Sequence, residues 1–126
     1  MAKIVIIDDS ETLRGQIRRD LETAGHTVVE ATDGMHGLEV IQATPDAQLV
    51  ICDVNMPRLD GLSMCVKLFE LRGGPSVPIF MLTTECSPEM KTKGKTVGVV
   101  AWITKPYTVQ KMLTAVDKIT AAAKAA

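Results

Sequence analysis

The chain has 126 residues, a net charge of −1 and a composition 46% hydrophobic and 23% charged, which fits one globular domain with a real core. No long basic run offers nucleic acid or an anionic membrane a surface, and no apolar run is long enough to span a bilayer. Three cysteines, Cys52, Cys65 and Cys86, lack CxxC spacing; they argue against a disulfide framework or a Cys/His metal site and predict reduced thiols in the cytoplasm.

KIVIID (Lys3–Asp8) reads as a first strand that stays apolar until its end. Leu13, Ile17, Leu21 and Ala24 then recur at helical spacing, and Gly25 supplies the left-handed residue that ends that helix. TVVEA (Thr27–Ala31) is a second, less uniformly apolar strand suited to a sheet edge, and Gly34 to Ala43 carries a short stripe through Leu38 and Ile41. LVICD (Leu49–Asp53) is the third strand, followed by a helix marked by Leu62, Cys65, Val66 and Phe69. PIFML (Pro78–Leu82) is the fourth strand. The segment from Ser87 to Gly98 has a capping Ser87, Pro88 at the first helical position and Glu89 at the positive helix end. Its lysines, threonines and glycines predict a short, loosely packed helix, the one most able to move. AWIT (Ala101–Thr104) is the fifth strand, and Val109, Met112, Leu113, Val116 and Ile119 mark the last helix, with AAAKAA as its fraying end.

Continuous apolar runs in the first, third and fourth strands are the pattern of parallel strands covered on both faces. Five strands alternating with five helices predict an α/β fold: one doubly wound (βα)5 domain spanning residues 1–126. Its parallel sheet has the order 2-1-3-4-5 with helices on both faces. No internal repeat, linker or second domain is expected.

In such a sheet, ligands bind beyond the carboxyl ends of the strands. There the chain places Asp8 and Asp9, Asp53, Thr83 with Thr84, and Thr104-Lys105-Pro106. Taken singly, an aspartate there is often a helix cap, a threonine a turn residue and a lysine a solvated charge. Three close carboxylates repel and call for raised pKa values or a bound cation. An oxygen-only donor set favours a hard ion such as Mg²⁺. Beside it, an anionic aspartate suits phosphoryl transfer, with Lys105 neutralising phosphoryl oxygens and Thr83 hydrogen-bonding one.

The stretches IIDDS, ICDVNMPRLDG, MLTT and WITKPY, in that order, resemble a response-regulator receiver domain, flavodoxin-like in fold. With no output domain expected, the chain resembles the stand-alone chemotaxis regulators of the CheY type. The resemblance implies that Asp53 accepts the phosphoryl group, and that Asp9, Asp53 and the Asn55 main-chain carbonyl ligate Mg²⁺, with Asp8 acting through a bound water. It further implies that Thr83 and Lys105 bind and sense the phosphoryl group and that Lys105-Pro106 is cis. Asn55 and Glu85 would tune self-dephosphorylation, predicted to take seconds to minutes. The resemblance points to a CheA-like sensor histidine kinase as donor, a flagellar motor switch protein as output, a possible phosphatase, and a cytoplasmic monomer. It implies a switch rather than an enzyme, although self-phosphorylation and self-dephosphorylation are Mg²⁺-dependent. A phosphate sink or phosphorelay carrier would share the same rim.

Trp102 departs from the family's usual Tyr or Phe at the switch position; Gly94, Gly98 and Thr84 offer room for an indole that moves with Thr83. Against a role in switching stands plain packing. Lys91, Lys93 and Lys95 read either as a solvated helix face or as a steering patch for an acidic partner, with Tyr107 as a neighbouring anchor. His26 and His36 read as surface residues, and strand alternation points Cys52 away from the rim. An aspartyl-phosphate-forming phosphatase would need an aspartate where Asn55 stands. A flavodoxin-like electron carrier would need a phosphate-cradling loop where the chain has DDSET.

Overall fold

The computed structural model describes residues 2–74, 76–84 and 86–125, with side chains through residue 121; Glu85 lies outside the described residues. The elements are β1 (Lys3–Ile7), α1 (Glu11–Thr23), β2 (Thr27–Ala31), α2 (Gly34–Gln42) and β3 (Leu49–Asp53). They continue as α3 (Gly61–Arg72), β4 (Ile79–Thr83), α4 (Pro88–Thr96), β5 (Val99–Thr104) and α5 (Val109–Ala125). All strands pair in parallel, in the order β2-β1-β3-β4-β5, as the apolar alternation predicts.

Successive strand residues face opposite sides, so the continuous runs build two cores. Val5, Ile7, Val50, Cys52, Ile79 and Met81 meet Leu38 and Ile41 of α2 and Met64, Cys65 and Leu68 of α3. Ile4, Ile6, Leu49, Ile51, Phe80 and Leu82 meet Ile17 and Leu21 of α1 and Met112 and Val116 of α5. Each fully buried large aliphatic or aromatic side chain is worth about 1.5–3 kcal/mol. That sum fixes the backbone rigidly enough to hold polar groups at the strand ends.

The helices begin where their caps dictate. The side chains of Ser10, Asp33, Asp60 and Ser87 accept from the backbone N–H groups of Leu13, His36, Ser63 and Met90. α1 stops at Thr23 with Ala24 as its cap, and Gly25 follows with a left-handed φ of 96°. In α4, Pro88 opens the helix and Gly94 is its one buried residue.

Several expectations shift. β5 begins two residues earlier than expected, at Val99, and a register irregularity opposite Ile79 and Phe80 leaves Val100 out of the pairing and 52% exposed. Ala24 is exposed because it is the cap rather than part of the stripe, and Val109 is exposed at the first turn of α5. The buried face of α3 centres on Met64, Cys65 and Leu68, one residue round from the expected stripe. His26 is not a surface residue: it is 7% exposed, and its Nδ1 accepts the Ala2 N–H at 3.1 Å. The turn after α1 folds it under the start of β1, a contact between residues 24 apart that a local pattern does not carry.

Candidate functional site

β1 stops at Ile7 and releases Asp8 and Asp9; Asp8 is 1% exposed while Asp9 is open to solvent. β3 delivers Asp53, 5% exposed, beside them. One oxygen from each of Asp8, Asp9 and Asp53 lies within 4.8 Å of the other two. From the far side of the sheet, the chain leaving β5 brings in Lys105. Its Nζ is 3.1 Å from Asp53 Oδ1 and 3.9 Å from Asp8 Oδ2. The Lys105 backbone N–H donates to the Thr83 carbonyl at 2.8 Å, and the Lys105–Pro106 peptide is cis. Thr83 itself is buried at the end of β4.

Asp8 is held by its neighbours' backbone. Oδ1 accepts the Ser10 N–H at 2.8 Å, and Arg14 Nη1 donates to the Asp8 carbonyl at 2.7 Å. Oδ2 is buried and makes no hydrogen bond. Burial pushes the Asp8 carboxyl above its usual range, and the charges of Asp53 and Asp9 add to that; the Ser10 N–H and the Lys105 ammonium oppose it. Three carboxylates face one ammonium, so negative charge is in excess. An orphaned buried oxygen within an all-oxygen, acid-rich cluster fits a hard divalent cation, and among the described residues no histidine or cysteine joins that cluster.

Residues 4–117 match the family described as response regulator receiver domain. The chain belongs to that family. The receiver is 37% identical over 112 residues to the response regulator MprA of Mycobacterium ulcerans, a match covering 88% of this chain and 47% of the relative. It is 33% identical to the sensor histidine kinase CheAY of Helicobacter pylori, over 91% of this chain and 14% of that protein. The chain therefore spans about half or less of the length of these curated relatives. Among solved structures, the chemotaxis protein CheY4 of Vibrio cholerae superimposes with a TM-score of 0.86 at 35% identity, covering 94% of this chain and 98% of that one.

The receiver's acid rim thus brings together Asp8, Asp9, Asp53 and Lys105, with Thr83 at the adjoining strand end. Asn55 is exposed in the connection from β3 to α3. Trp102 is half-buried on the α4 side of β5, where a Cβ on Gly94 would lie 2.8 Å from the indole Cζ2. The missing side chain of Gly94 is the space the indole occupies. Lys91, Lys93 and Lys95 are exposed on α4. Tyr107 is tied down rather than free to anchor a partner: its hydroxyl donates to Asp20 Oδ2 of α1 at 2.6 Å. Burial and that bond both push its phenol pKa up.

Cys52 lies wholly in the core, its thiol directed to the Asp53 carbonyl rather than to the rim. Burial pushes the Cys52 thiol well up and the Cys65 thiol to about 12, whereas Cys86 is partly exposed. Sequence reasoning missed Ser10, Arg14 and the Tyr107–Asp20 bond. Ser10 and Arg14 had a signal, since the turn after an acidic strand end is where backbone and side-chain donors reach a carboxylate.

Proposed function

We propose that this receiver is a phosphorylation-activated switch in which Asp53 accepts a phosphoryl group from a phosphohistidine on a CheA-like sensor histidine kinase. The observation that carries the reading is the Lys105 ammonium 3.1 Å from Asp53 inside a three-carboxylate cluster at the strand ends. An Asp53 oxygen lone pair forms the new P–O bond. The donor's P–N bond breaks and its electron pair stays on the imidazole nitrogen. Lys105 offsets charge on the phosphoryl oxygens, and the Thr83 hydroxyl donates to one of them. Asp9, Asp53 and the Asn55 carbonyl would hold Mg²⁺, with Asp8 acting through a water; that ion would supply the remaining neutralisation of phosphoryl charge.

The groove beside the rim, lined by Leu13, Gln16, Thr84, Lys105, Pro106 and Tyr107, is the proposed approach for the donor side chain. The Asn55 amide orients the water that later hydrolyses the acyl phosphate, giving a phosphoryl lifetime of seconds to minutes; Glu85 is proposed as its partner. Uptake of one phosphoryl equivalent from acetyl phosphate, dependent on Mg²⁺ and abolished in Asp53→Asn, is the expected result. Uptake that survives this substitution, or that ignores Mg²⁺, would sink the reading. A phosphoryl group stable for hours without a phosphatase would refute the proposed lifetime.

For output, the reading is a cytoplasmic monomer acting by protein–protein contact, with Trp102 following Thr83. Its likeness to CheY4, termed a chemotaxis protein, supports control of a flagellar motor switch protein, with a phosphatase ending the signal. A second reading, supported by the curated match to the response regulator MprA, is a receiver, sink or relay in another two-component pathway. Affinity capture with phosphorylated receiver against Asp53→Ala separates the two. Phosphorylation-dependent recovery of a motor switch protein supports the first, and recovery of a histidine phosphotransfer protein supports the second.

A further inference from the structure

Among the described residues, Arg58 is the one non-glycine with positive φ, at 67°. An arginine persists in the left-handed region only where its surroundings hold it there. Asp33 supplies the hold. Arg58 Nη2 donates to Asp33 Oδ1 at 3.1 Å, and Arg58 Nε is 3.1 Å from Oδ2, a two-point fork that fixes direction as well as distance. Asp33 is a firm anchor because its side chain is only 14% exposed and its Oδ1 also caps α2, accepting the His36 N–H at 2.9 Å.

The backbone is seated as well. A Cβ on Gly34 would lie 2.2 Å from the Leu59 carbonyl oxygen, so the turn before α2 and the loop after β3 are in direct contact. The loop also closes on itself, with Leu59 N–H donating to the Pro57 carbonyl at 2.7 Å and Gly61 N–H to the Val54 carbonyl at 2.8 Å. Asn55 lies inside this closed loop, and Arg58 is the loop residue whose charged group reaches another element.

We propose that Arg58 is a positioning residue for the acid rim: its fork on Asp33 sets the path of residues 54–60, and through it the Asn55 carbonyl. This rests on the cation reading given under the proposed function and deepens it. An exposed ion pair adds little to global stability, and Arg58 is 59% exposed, so its effect should appear in the loop rather than in the fold.

Three variants test this: Arg58→Gly, which accepts positive φ freely; Asp33→Asn, which keeps a capping oxygen; and the double variant. Mg²⁺ affinity is measured by calorimetry, thermal unfolding without Mg²⁺, and amide exchange over residues 54–60. Each single variant should bind Mg²⁺ about tenfold more weakly, the low end for groups that support metal ligands. The double variant should lose no more than either single, because both remove one interaction. Exchange across the loop should quicken while the unfolding midpoint stays near that of the unsubstituted protein. Unchanged affinity in Arg58→Gly, with normal binding by the unsubstituted protein, would overturn this inference alone. Affinity that falls only in step with a lowered midpoint would show a merely structural role and overturn it too. An unsubstituted chain that binds no Mg²⁺ would remove both this inference and the cation reading.

Discussion

Asp8 shows what a receptive rim costs a folded chain. Its buried carboxyl has a raised pKa, with burial the main cause, so its ionisation opposes folding. That group favours the folded state below its unfolded pKa, and the favour is lost as pH rises through the folded value. Asp8→Asn keeps an oxygen for the Ser10 N–H and removes the charge. Without Mg²⁺ at pH 7 it should raise the thermal midpoint by about 2–4 °C, what roughly 1 kcal/mol gives near this size, and the gain should disappear in acid. Added Mg²⁺ should stabilise the unsubstituted protein more than the variant. Glu30 runs the opposite way. Burial tends to raise its carboxyl, but hydrogen bonds from Arg18 and Arg14 outweigh that and hold it low. Its contribution is present above the unfolded pKa and lost as pH falls through the folded one, so Glu30→Gln should flatten the acid limb of a stability profile. Asp8, Asp9, Asp53 and Lys105 were legible because each ends or follows an apolar run. The Arg58–Asp33 fork and the buried His26 were not, since each joins residues 24 or 25 apart through side-chain geometry.

At the scale of elements, α4 buries a single residue, Gly94. Gly94→Ala tests what fastens the helix. The new methyl would stand 2.8 Å from the indole of Trp102 and 3.1 Å from Val99 Cβ. Overpacking costs about 1–3 kcal/mol, more than the ~1 kcal/mol of helix propensity gained. The variant should lose stability, and Trp102 emission should move to longer wavelength as the indole is displaced; an unchanged spectrum would mean the contact does not position it. In the parent protein, amide exchange should be faster across α4 than across α5. If Trp102 follows Thr83, a phosphoryl mimic with Mg²⁺ should change its emission. The strands were legible because parallel pairing demands residues buried on both faces. The start of β5 was not, because the register irregularity turns Val100 to solvent and breaks the apolar pattern. The thin buried face of α4 was legible from its composition, since lysine, threonine and glycine offer a core little to hold.

For the whole molecule, a net charge of −1 conceals an uneven distribution, acidic at the rim and basic along α4. Lys91, Lys93 and Lys95 all stand exposed. If they steer an acidic partner, reversing all three should slow association and reduce its salt dependence while leaving phosphoryl uptake intact. Equal association rates would leave them as a solvated face.

The three thiols give the protein a built-in chemical address. Reagents such as maleimides attack thiolates, and both burial and raised pKa keep Cys52 and Cys65 protonated and out of reach. Cys86, beside the cap of α4, is the accessible one. The native protein should therefore take one label quickly, and three after unfolding, the number its sequence contains. A dye placed there without mutagenesis would sit between the acid rim and α4.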